Sequence, residues 1–197
     1  EFDLFLASDI LLIAITSKDI DAYERLIEQI EMSSIQKVIF ISSTSVYPIS
    51  NSIVTEETIT MNTPLSAIEN LFRDTTFFET TIIRFAGLFG PGRHPGSWFK
   101  NGKTIPQPNG FVNMIHLEDC IEIIHEILNQ DCWGTTFNAC SNDHPTRRDF
   151  YTNARKSLNF ENPIFEENSQ LKYKIISSKK LQEDLSYQFI HDNLLDI

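Results

Sequence analysis

The sequence Lys-Val-Ile-Phe-Ile-Ser-Ser-Thr-Ser-Val-Tyr-Pro at residues 37–48 decides the fold class. The run Val38–Ile41 is β-branched and aromatic without polar alternation, which predicts a parallel strand buried on both faces. Three hydroxyl residues, Ser42, Ser43 and Thr44, follow where this strand would end. Because open α/β sheets bind ligands at the carboxyl ends of their strands, these hydroxyls form a candidate site. The alternative is that they only cap a turn.

Alternating strands and helices flank this run on both sides. Ile10–Thr16 and Thr80–Arg84 have the same buried-strand pattern, and Asp19–Met32 has apolar residues at helical spacing. Pro64 is predicted to lie in the first turn of a helix that runs to about Asp74, after a polar loop at 49–63. The order strand, helix, strand, helix, strand is typical of a parallel sheet with helices on both faces.

The pattern changes after Arg93. The segment His94–Gly110 contains several Pro and Gly residues, which predicts an irregular loop that could cover a cleft. Beyond it we predict shorter elements: a strand at Phe111–Ile115, a helix at Glu118–Asn129, a strand at Thr135–Ala139, a helix at Thr146–Leu158 capped by Thr146, an extended Tyr173–Ile176 and a helix at Ser178–Leu185.

The composition of the 197 residues excludes several classes of protein. With 41% hydrophobic and 22% charged residues, it is that of a globular protein. The balance of 16 basic and 27 acidic residues gives a net charge of −11, which argues against a nucleic-acid partner. Cys120, Cys132 and Cys140 lack metal-ligand spacing and fit buried thiols in a reducing compartment. The apolar run at 10–15 is too short to span a membrane, so we expect a cytoplasmic protein.

Two more motifs follow the hydroxyl cluster in order. They are Arg-Phe-Ala-Gly-Leu-Phe-Gly-Pro-Gly-Arg at residues 84–93 and Asn-Met-Ile-His-Leu-Glu-Asp at residues 113–119. With these three motifs the chain resembles the extended short-chain dehydrogenases, also called the NAD-dependent epimerase/dehydratase family, and its atypical members in particular. The resemblance implies an α/β fold, a Rossmann-like doubly wound parallel sheet that binds NAD or NADP. It also implies a small C-terminal α+β lobe for a substrate resembling a sugar nucleotide.

The resemblance divides the chain within a single domain, 1–197. Residues 1–93 and 111–140 are expected to form the Rossmann-like sheet and its helices. Residues 94–110 and 141–197 are expected to form a substrate-side loop and the C-terminal lobe.

The resemblance also implies roles for single residues. Ser43 matches the position that hydrogen-bonds the reacting carbonyl or hydroxyl, a task that suits a group able to donate and accept. Tyr47 matches a position beside the substrate. Positions that line the cofactor are matched by Thr16, Ser17, Ser42, Ala86, Gly87 and Leu88. Substrate-facing loops are matched by Arg93, Trp98 and Arg147, together with His94 and Phe99.

Three charged or titratable residues in these motifs have structural explanations. Arg84 begins the segment that would pass the nicotinamide, and a structural ion pair is the alternative. His116 and Asp119 match a pair that anchors a loop and a helix start. No second ligand stands at suitable spacing from His116 along the chain, so we predict no metal site.

The chain departs from the family at its catalytic pair. The family uses a tyrosine as general acid/base and a lysine four residues later that lowers the tyrosine pKa. This sequence has no lysine between Lys37 and Lys100 and no tyrosine between Tyr47 and Tyr151. An alignment anchored on Glu69 places Met61 and Leu65 at the two positions. Standard catalysis is therefore not expected, and Tyr47 is the one alternative acid in this region.

The sequence also lacks the Gly-x-Gly-x-x-Gly loop that dinucleotide binding requires. Its first predicted strand matches the family's fourth, and it starts at Glu1 without a methionine. We therefore expect a fragment of a longer protein that lacks the family's N-terminal, pyrophosphate-binding half. The strand at 10–15 would then be an open hydrophobic edge, covered by a longer chain or by a second subunit in a homodimer.

Three functional hypotheses follow. The first is an atypical NAD(P)-binding epimerase/dehydratase-like protein that acts on a substrate resembling a sugar nucleotide. The second is a non-catalytic NAD(P)-binding or partner-binding protein, suggested by the missing Tyr-Lys pair, so enzymatic activity stays open. The third is a remnant without a ligand, which would aggregate or form an obligate dimer.

Overall fold

Eight strands and five α-helices make up the described parts of the computed structural model, residues 6–99 and 102–197. In chain order they are β1 (Ile10–Ile13), α1 (Ile20–Glu31), β2 (Lys37–Ser43), β3 (Ile53–Val54), α2 (Pro64–Asp74), β4 (Glu79–Phe85), β5 (Gly87–Phe89), β6 (Met114–His116), α3 (Leu117–Asn129), β7 (Thr136–Ala139), α4 (Arg147–Ser157), β8 (Ile175–Ile176) and α5 (Lys179–Leu185).

The centre of the fold is a four-stranded sheet in the order β1-β2-β4-β7, and every pair in it is parallel. The β2–β4 register sets Ser42 beside Arg84 and Ser43 beside Phe85. Because parallel strands end at the same edge, this register brings the hydroxyl cluster next to the segment that follows β4. The predicted parallel sheet is confirmed.

Helices cover both faces of the sheet, as predicted for a doubly wound fold. On one face α1 and α2 pack on alternate residues of β2, with Phe40 stacked on Phe72 at 4.7 Å between ring centroids. On the other face α3 and α5 pack on the remaining residues, represented by Ile39, Ile83 and Phe137, which are at most 1% exposed. The apolar central residues of β2 and β4 are buried on both faces of the sheet, which explains why they show no polar alternation.

The start of α2 shows how local sequence sets a helix boundary. The hydroxyl of Thr63 accepts a hydrogen bond from Ser66 N at 3.2 Å, and Ser66 Oγ accepts one from Thr63 N at 2.9 Å. Pro64 occupies the first helical position, where a missing N–H costs nothing. The helix spans Pro64–Asp74, the bounds that the sequence predicted.

Short strands and α4 form a smaller lobe beside the central sheet. β3 pairs with β8, and β5 pairs with β6, both in parallel. The turn at Pro95–Ser97 packs so closely on α4 that a Cβ on Gly96 would lie 2.1 Å from Ala154 O. Glycine is therefore required at this contact. A third apolar cluster, which includes Phe150 and Leu194, fills the lobe.

Four sequence predictions need correction at the level of elements. The predicted polar loop at 49–63 contains β3, and β5 was not predicted. The strand predicted at Phe111–Ile115 is Met114–His116, while Phe111 makes a single bridge to Thr146. The extended segment at Tyr173–Ile176 is a strand only at its last two residues. These strands of two or three residues exist because of distant partners, which local patterns do not reveal.

The C-terminal tail is tied to the start of α3 by a buried carboxylate. Asp119 accepts hydrogen bonds from Tyr187 Oη at 2.7 Å, Ile190 N at 2.7 Å and His191 N at 3.1 Å. The anchoring role expected for Asp119 therefore has a defined geometry. These three hydrogen bonds hold residues 187–191 of the C-terminal tail against the start of α3.

The three cysteines are free thiols in the structure. Cys120 and Cys140 are buried and Cys132 is half-buried, all without a disulfide. Burial raises the pKa of the Cys120 thiol to about 12, so it stays protonated. Across the described ranges, no helix combines the length and apolarity needed to cross a bilayer.

The edge strand β1 presents apolar side chains to solvent. Leu11 and Ile13 are buried under α1, whereas Ile10 and Leu12 on the opposite face are 40% and 47% exposed. Within the described residues no strand pairs with the outer side of β1. An exposed apolar edge favours pairing with another chain.

We expect this chain to self-associate through β1 and the substitution Leu12→Lys to weaken that association, because a charge on an edge strand opposes pairing. Light scattering over a range of protein concentrations measures the change. Ile121→Lys is the matched control, since Ile121 is 45% exposed and lies on helix α3, not on a strand. A chain that stays monomeric at high concentration would contradict the expectation.

Candidate functional site

A cavity of about 510 Å³ lies at the carboxyl ends of β2 and β4, and we call it the strand-end cavity. Its wall combines the loop after β1, the end of β2, the start of α2 and the segment after β4. Eight of the residues that the sequence singled out line it: Thr16, Ser17, Ser42, Ser43, Ala86, Gly87, Leu88 and Arg93. A second cavity of the same volume, lined by Lys37 and Glu79, lies at the opposite, amino ends of these strands.

Ser43 caps a turn and also lines the strand-end cavity, so the two interpretations of the hydroxyl cluster are compatible at this residue. Its Oγ accepts a hydrogen bond from Ser45 N at 3.1 Å and so caps the 3-10 turn Thr44–Val46. The same residue lines the strand-end cavity, and among the described residues its hydroxyl donates to no acceptor. The hydroxyl proton is therefore available to a ligand.

The wall of the cavity has an apolar residue where the family has its lysine. Leu65, in the first turn of α2, lines the cavity beside Ser42 and Ser43. Met61 is 40% exposed and does not line it. Of the two aligned residues, only Leu65 therefore lies at the cavity, and its side chain cannot supply a charge or a proton.

The charged residues in the wall are both cations. Arg93 donates from Nε to Leu88 O at 2.8 Å, and its guanidinium lies 5.6 Å from the Trp98 ring. Lys18, which follows β1 and was not singled out in the sequence, lines the opposite part of the wall. The cavity is thus locally positive in a chain of net charge −11, which favours an anionic ligand.

A buried ion pair lies directly behind the cavity. Arg84 donates to Glu69 from Nη2 at 2.5 Å and from Nε at 3.0 Å, and neither residue is more than 3% exposed. Ser42 Oγ donates to the same carboxylate at 2.5 Å. Burial alone would lower the pKa of Arg84, but the hydrogen bonds and charge of Glu69 outweigh it and raise that pKa. The structural alternative for Arg84 is therefore the observed arrangement.

Tyr47 belongs to this buried network and not to the cavity. It is 1% exposed, its hydroxyl donates to Asn138 Oδ1 at 2.8 Å, and it accepts from Arg84 Nη1. Burial raises its pKa above the ordinary value, despite the nearby Arg84. A catalytic acid needs access to the ligand, so the structure does not support the catalytic role predicted for Tyr47. Its hydroxyl holds the network together instead.

Lys174 is a residue of this region that the sequence analysis missed. Its Nζ donates to Thr44 O at 2.8 Å and to Tyr47 O at 2.7 Å, which closes the turn after Ser43 from behind. Desolvation lowers its pKa. Lys174 lies more than a hundred residues along the chain from this turn, so no local pattern could have indicated the contact.

The remaining predicted residues lie in the C-terminal lobe. Trp98 packs on Arg93 and lies 6.3 Å from the Tyr151 ring, and Arg147 lies 5.7 Å from the same ring. Neither Trp98 nor Arg147 lines the strand-end cavity. The buried Nε of Arg147 makes no hydrogen bond among the described residues. Of the three predicted substrate contacts, the structure brings only Arg93 to the cavity.

The prediction that His116 lacks a second metal ligand rested on spacing along the chain. In the structure Glu118 and His191 lie beside it, so that premise is wrong. His116 Nδ1 accepts a hydrogen bond from Glu118 N at 3.2 Å and caps α3, in line with its expected structural role. Burial lowers the pKa of His116, and the neighbouring His191 lowers it further.

Comparison with known proteins identifies two curated relatives by sequence, Protein YeeZ of Escherichia coli K12 and of Escherichia coli O157:H7. Protein YeeZ of Escherichia coli K12 is 34% identical over 176 residues, which are 86% of this chain and 64% of YeeZ. The chain therefore spans less than two thirds of the length of this relative. No family model matches the chain.

Solved structures identify the fold. A functionally unknown conserved protein from Silicibacter pomeroyi superposes with a TM-score of 0.80 at 22% identity, covering 95% of this chain and 74% of that one. A Methylobacillus flagellatus protein provisionally described as an NAD-dependent epimerase/dehydratase gives 0.76 at 21%, covering 98% and 77%. UDP-glucuronic acid 4-epimerase from Bacillus cereus, solved with NAD, gives 0.77 at 17%, covering 100% and 74%.

The chain has the fold of the NAD-dependent epimerase/dehydratases. The Rossmann-like parallel sheet and the fold resemblance predicted from the three ordered motifs are confirmed. In this fold the strand-end cavity occupies the carboxyl edge of the sheet, where ligands of open α/β sheets bind.

We expect Glu69→Gln to lower the free energy of unfolding by about 3–5 kcal/mol, because it leaves the buried Arg84 without its carboxylate. Denaturant unfolding followed by circular dichroism measures the loss. Glu28→Gln on the exposed side of α1 is the matched control and should change stability by less than about 0.5 kcal/mol. Equal effects of the two substitutions would contradict the importance of the ion pair.

We expect Lys174→Met to lower the free energy of unfolding by about 1–3 kcal/mol, because the Tyr47 carbonyl loses its donor within a buried turn. The same unfolding experiment measures it. Lys179→Met is the control, since Lys179 is exposed and pairs only with Glu183 across 3.5 Å, a surface contact worth about 0–1 kcal/mol. If Lys174→Met is as stable as its control, the contact does not hold the turn.

Proposed function

We propose that this protein is an atypical member of the NAD-dependent epimerase/dehydratase family. It binds a nicotinamide cofactor, NAD or NADP, in the strand-end cavity and acts on a small molecule resembling a sugar nucleotide. The observation that carries the proposal is the position of the Ser43 hydroxyl, which lines this cavity at the carboxyl edge of a parallel sheet. Among the described residues, this hydroxyl donates its hydrogen to no acceptor. The fold shared with an NAD-bound epimerase supports it.

The walls of the cavity suit a nicotinamide ring and its ribose. Ile15, Leu65 and Leu88 supply apolar surface, and Ala86 leaves the backbone after β4 open to close approach. Hydroxyls of Thr16 and Ser17 follow β1 on the facing side. When bound, the nicotinamide supplies hydride transfer, while the chain orients the ring and excludes water from one side.

The two cations of the wall support a substrate or cofactor that carries phosphate. Lys18 and Arg93 lie on different segments, and Arg93 is held in place by Leu88 O and the Trp98 ring. Arginine binds phosphate oxygens with a preorganised fork of donors, and lysine binds them as a point charge. A sugar nucleotide has both phosphate and hydroxyl groups for these contacts.

Among the described residues that line this cavity, no tyrosine–lysine pair is present for the proton transfer used by the family. Leu65 takes the place of the lysine, and Tyr47 is buried behind the wall with its hydroxyl engaged. Ser43 can hydrogen-bond a carbonyl or hydroxyl but is a poor base by itself. This observation favours the second candidate function, a non-catalytic NAD(P)-binding or partner-binding protein.

We expect NADH or NADPH to bind the polypeptide as its gene encodes it, and Leu88→Trp to weaken that binding about 10-fold or more, because the indole fills the cavity. Isothermal titration calorimetry measures both affinities. Leu128→Trp is the matched control, since Leu88 and Leu128 are both 39% exposed and Leu128 lies on α3, away from the cavity. Absence of binding for NAD(H) and NADP(H) alike would overturn the proposal.

Turnover assays on the same protein preparation distinguish the catalytic function from the non-catalytic one. Turnover of a UDP-sugar that is lost in Ser43→Ala, with cofactor affinity retained, supports catalysis at this serine. Cofactor binding without turnover of any UDP-sugar supports the non-catalytic alternative.

A further inference from the structure

Three side chains that commonly bind metal ions meet outside the strand-end cavity. They are His116 at the end of β6, Glu118 in the first turn of α3 and His191 in the C-terminal tail. One ligand atom from each lies within 4.8 Å of the others. Two imidazoles and a carboxylate form a donor set typical of zinc sites with three protein ligands.

The arrangement of these three side chains is held by the surrounding structure. His191 Nε2 lies 2.8 Å from Glu118 Oε2, and the two histidine rings face each other at 3.7 Å between centroids. The buried carboxylate of Asp119 accepts from His191 N at 3.1 Å, which fixes the tail beside α3. The ligands therefore sit on backbone that is already positioned without a metal ion, as metal sites require.

Space for a fourth ligand lies next to the cluster. A cavity of about 380 Å³ is lined by His116 and His191 and also by His94, Asp196 and Gly90. Gly90 has a φ of +140°, and a Cβ there would lie 3.0 Å from His116 Nε2. Glycine thus leaves the ring nitrogen open toward the cavity, where water or a small anion could complete a tetrahedral site.

We propose that His116, Glu118 and His191 form a binding site for a divalent transition-metal ion of the zinc class. Imidazole nitrogen and carboxylate oxygen suit zinc, at bond lengths of about 2.0–2.2 Å. Coordination replaces the His191–Glu118 contact and the cap hydrogen bond of His116, because a coordinating histidine gives up a lone pair. Because the ligand atoms already lie within 4.8 Å of one another, local movements of the three side chains bring them to one ion.

Such an ion would cross-link two parts of the fold that are distant in sequence. It would join the C-terminal tail, through His191, to the start of α3, where Asp119 already anchors the same tail. A ligand that binds only the folded chain raises its stability. The site is separate from the strand-end cavity, so it does not depend on the proposed function.

The test is titration of the untagged protein with ZnCl2 and CoCl2 by isothermal titration calorimetry, with visible absorption of the cobalt form. We expect one ion per chain, cobalt bands of a tetrahedral or five-coordinate site, and a zinc-dependent rise in melting temperature. His191→Ala should weaken zinc binding about 10-fold or more and abolish the rise. His125→Ala is the matched control, because His125 is an exposed histidine on α3 beside Glu122.

Circular dichroism of each variant separates loss of the site from loss of the fold. His116→Gln and Glu118→Gln, which keep the side-chain volume near that of the original, should also weaken binding while the spectrum is unchanged. The proposal is overturned if the native chain binds neither ion at one equivalent, if His191→Ala binds as tightly as the native chain, or if His125→Ala is the variant that loses binding.

Discussion

The buried ion pair between Glu69 and Arg84 is the interaction on which the candidate site depends. Glu69 lies on α2 and Arg84 on β4, so the pair fixes the helix against the sheet. Through the same two groups it also holds Ser42 and Tyr47, which lie at the end of β2 and just beyond it. The cavity wall therefore has its backbone held from behind by charge-assisted hydrogen bonds, which are roughly twice as strong as neutral ones.

The ion pair contributes more to the orientation of neighbouring side chains than to the net free energy of unfolding. Removing two charges from water costs about as much as their attraction returns, so apolar residues of similar size could stabilise the fold equally well. Apolar residues would not orient the Ser42 hydroxyl or the adjacent Ser43. The pair, the Tyr47 hydroxyl and the Lys174 ammonium instead give the turn at residues 43–47 directional contacts on its buried side. We infer that they keep the cavity side of this turn in one conformation.

The sequence predicted the parts of the fold that depend on local patterns. The central strands and α2 were found because their residues are buried on both faces or carry a proline and a cap at a fixed position. Ser43 and the segment after β4 were found because their motifs are contiguous. Leu65 lines the cavity, although an apolar residue gives no chemical signal of a site and only the alignment drew attention to it.

The parts that were missed depend on contacts between distant segments. β3 and β5 are too short to have a period, and each exists only because a partner strand lies beside it. Lys174 and His191 reach the ends of β2 and α3 from the C-terminal lobe. The resemblance assigns Tyr47 to the substrate, but its side chain is 1% exposed and lies in the core. The sequence pattern alone does not show whether the Tyr47 side chain faces the cavity or the core.

The electrostatics of the strand-end cavity separate binding from catalysis. Among the residues described, its lining includes two cations, Lys18 and Arg93, but no carboxylate, histidine or tyrosine. Cations attract a phosphate-bearing ligand even though the whole chain is acidic, since a cleft focuses the local field. Proton transfer, by contrast, needs a group whose pKa lies near the working pH and that reaches the ligand. The Ser43 hydroxyl can reach a ligand in the cavity, but a serine hydroxyl does not have a pKa near the working pH. The cavity is therefore better suited to binding an anionic ligand than to catalysing its conversion.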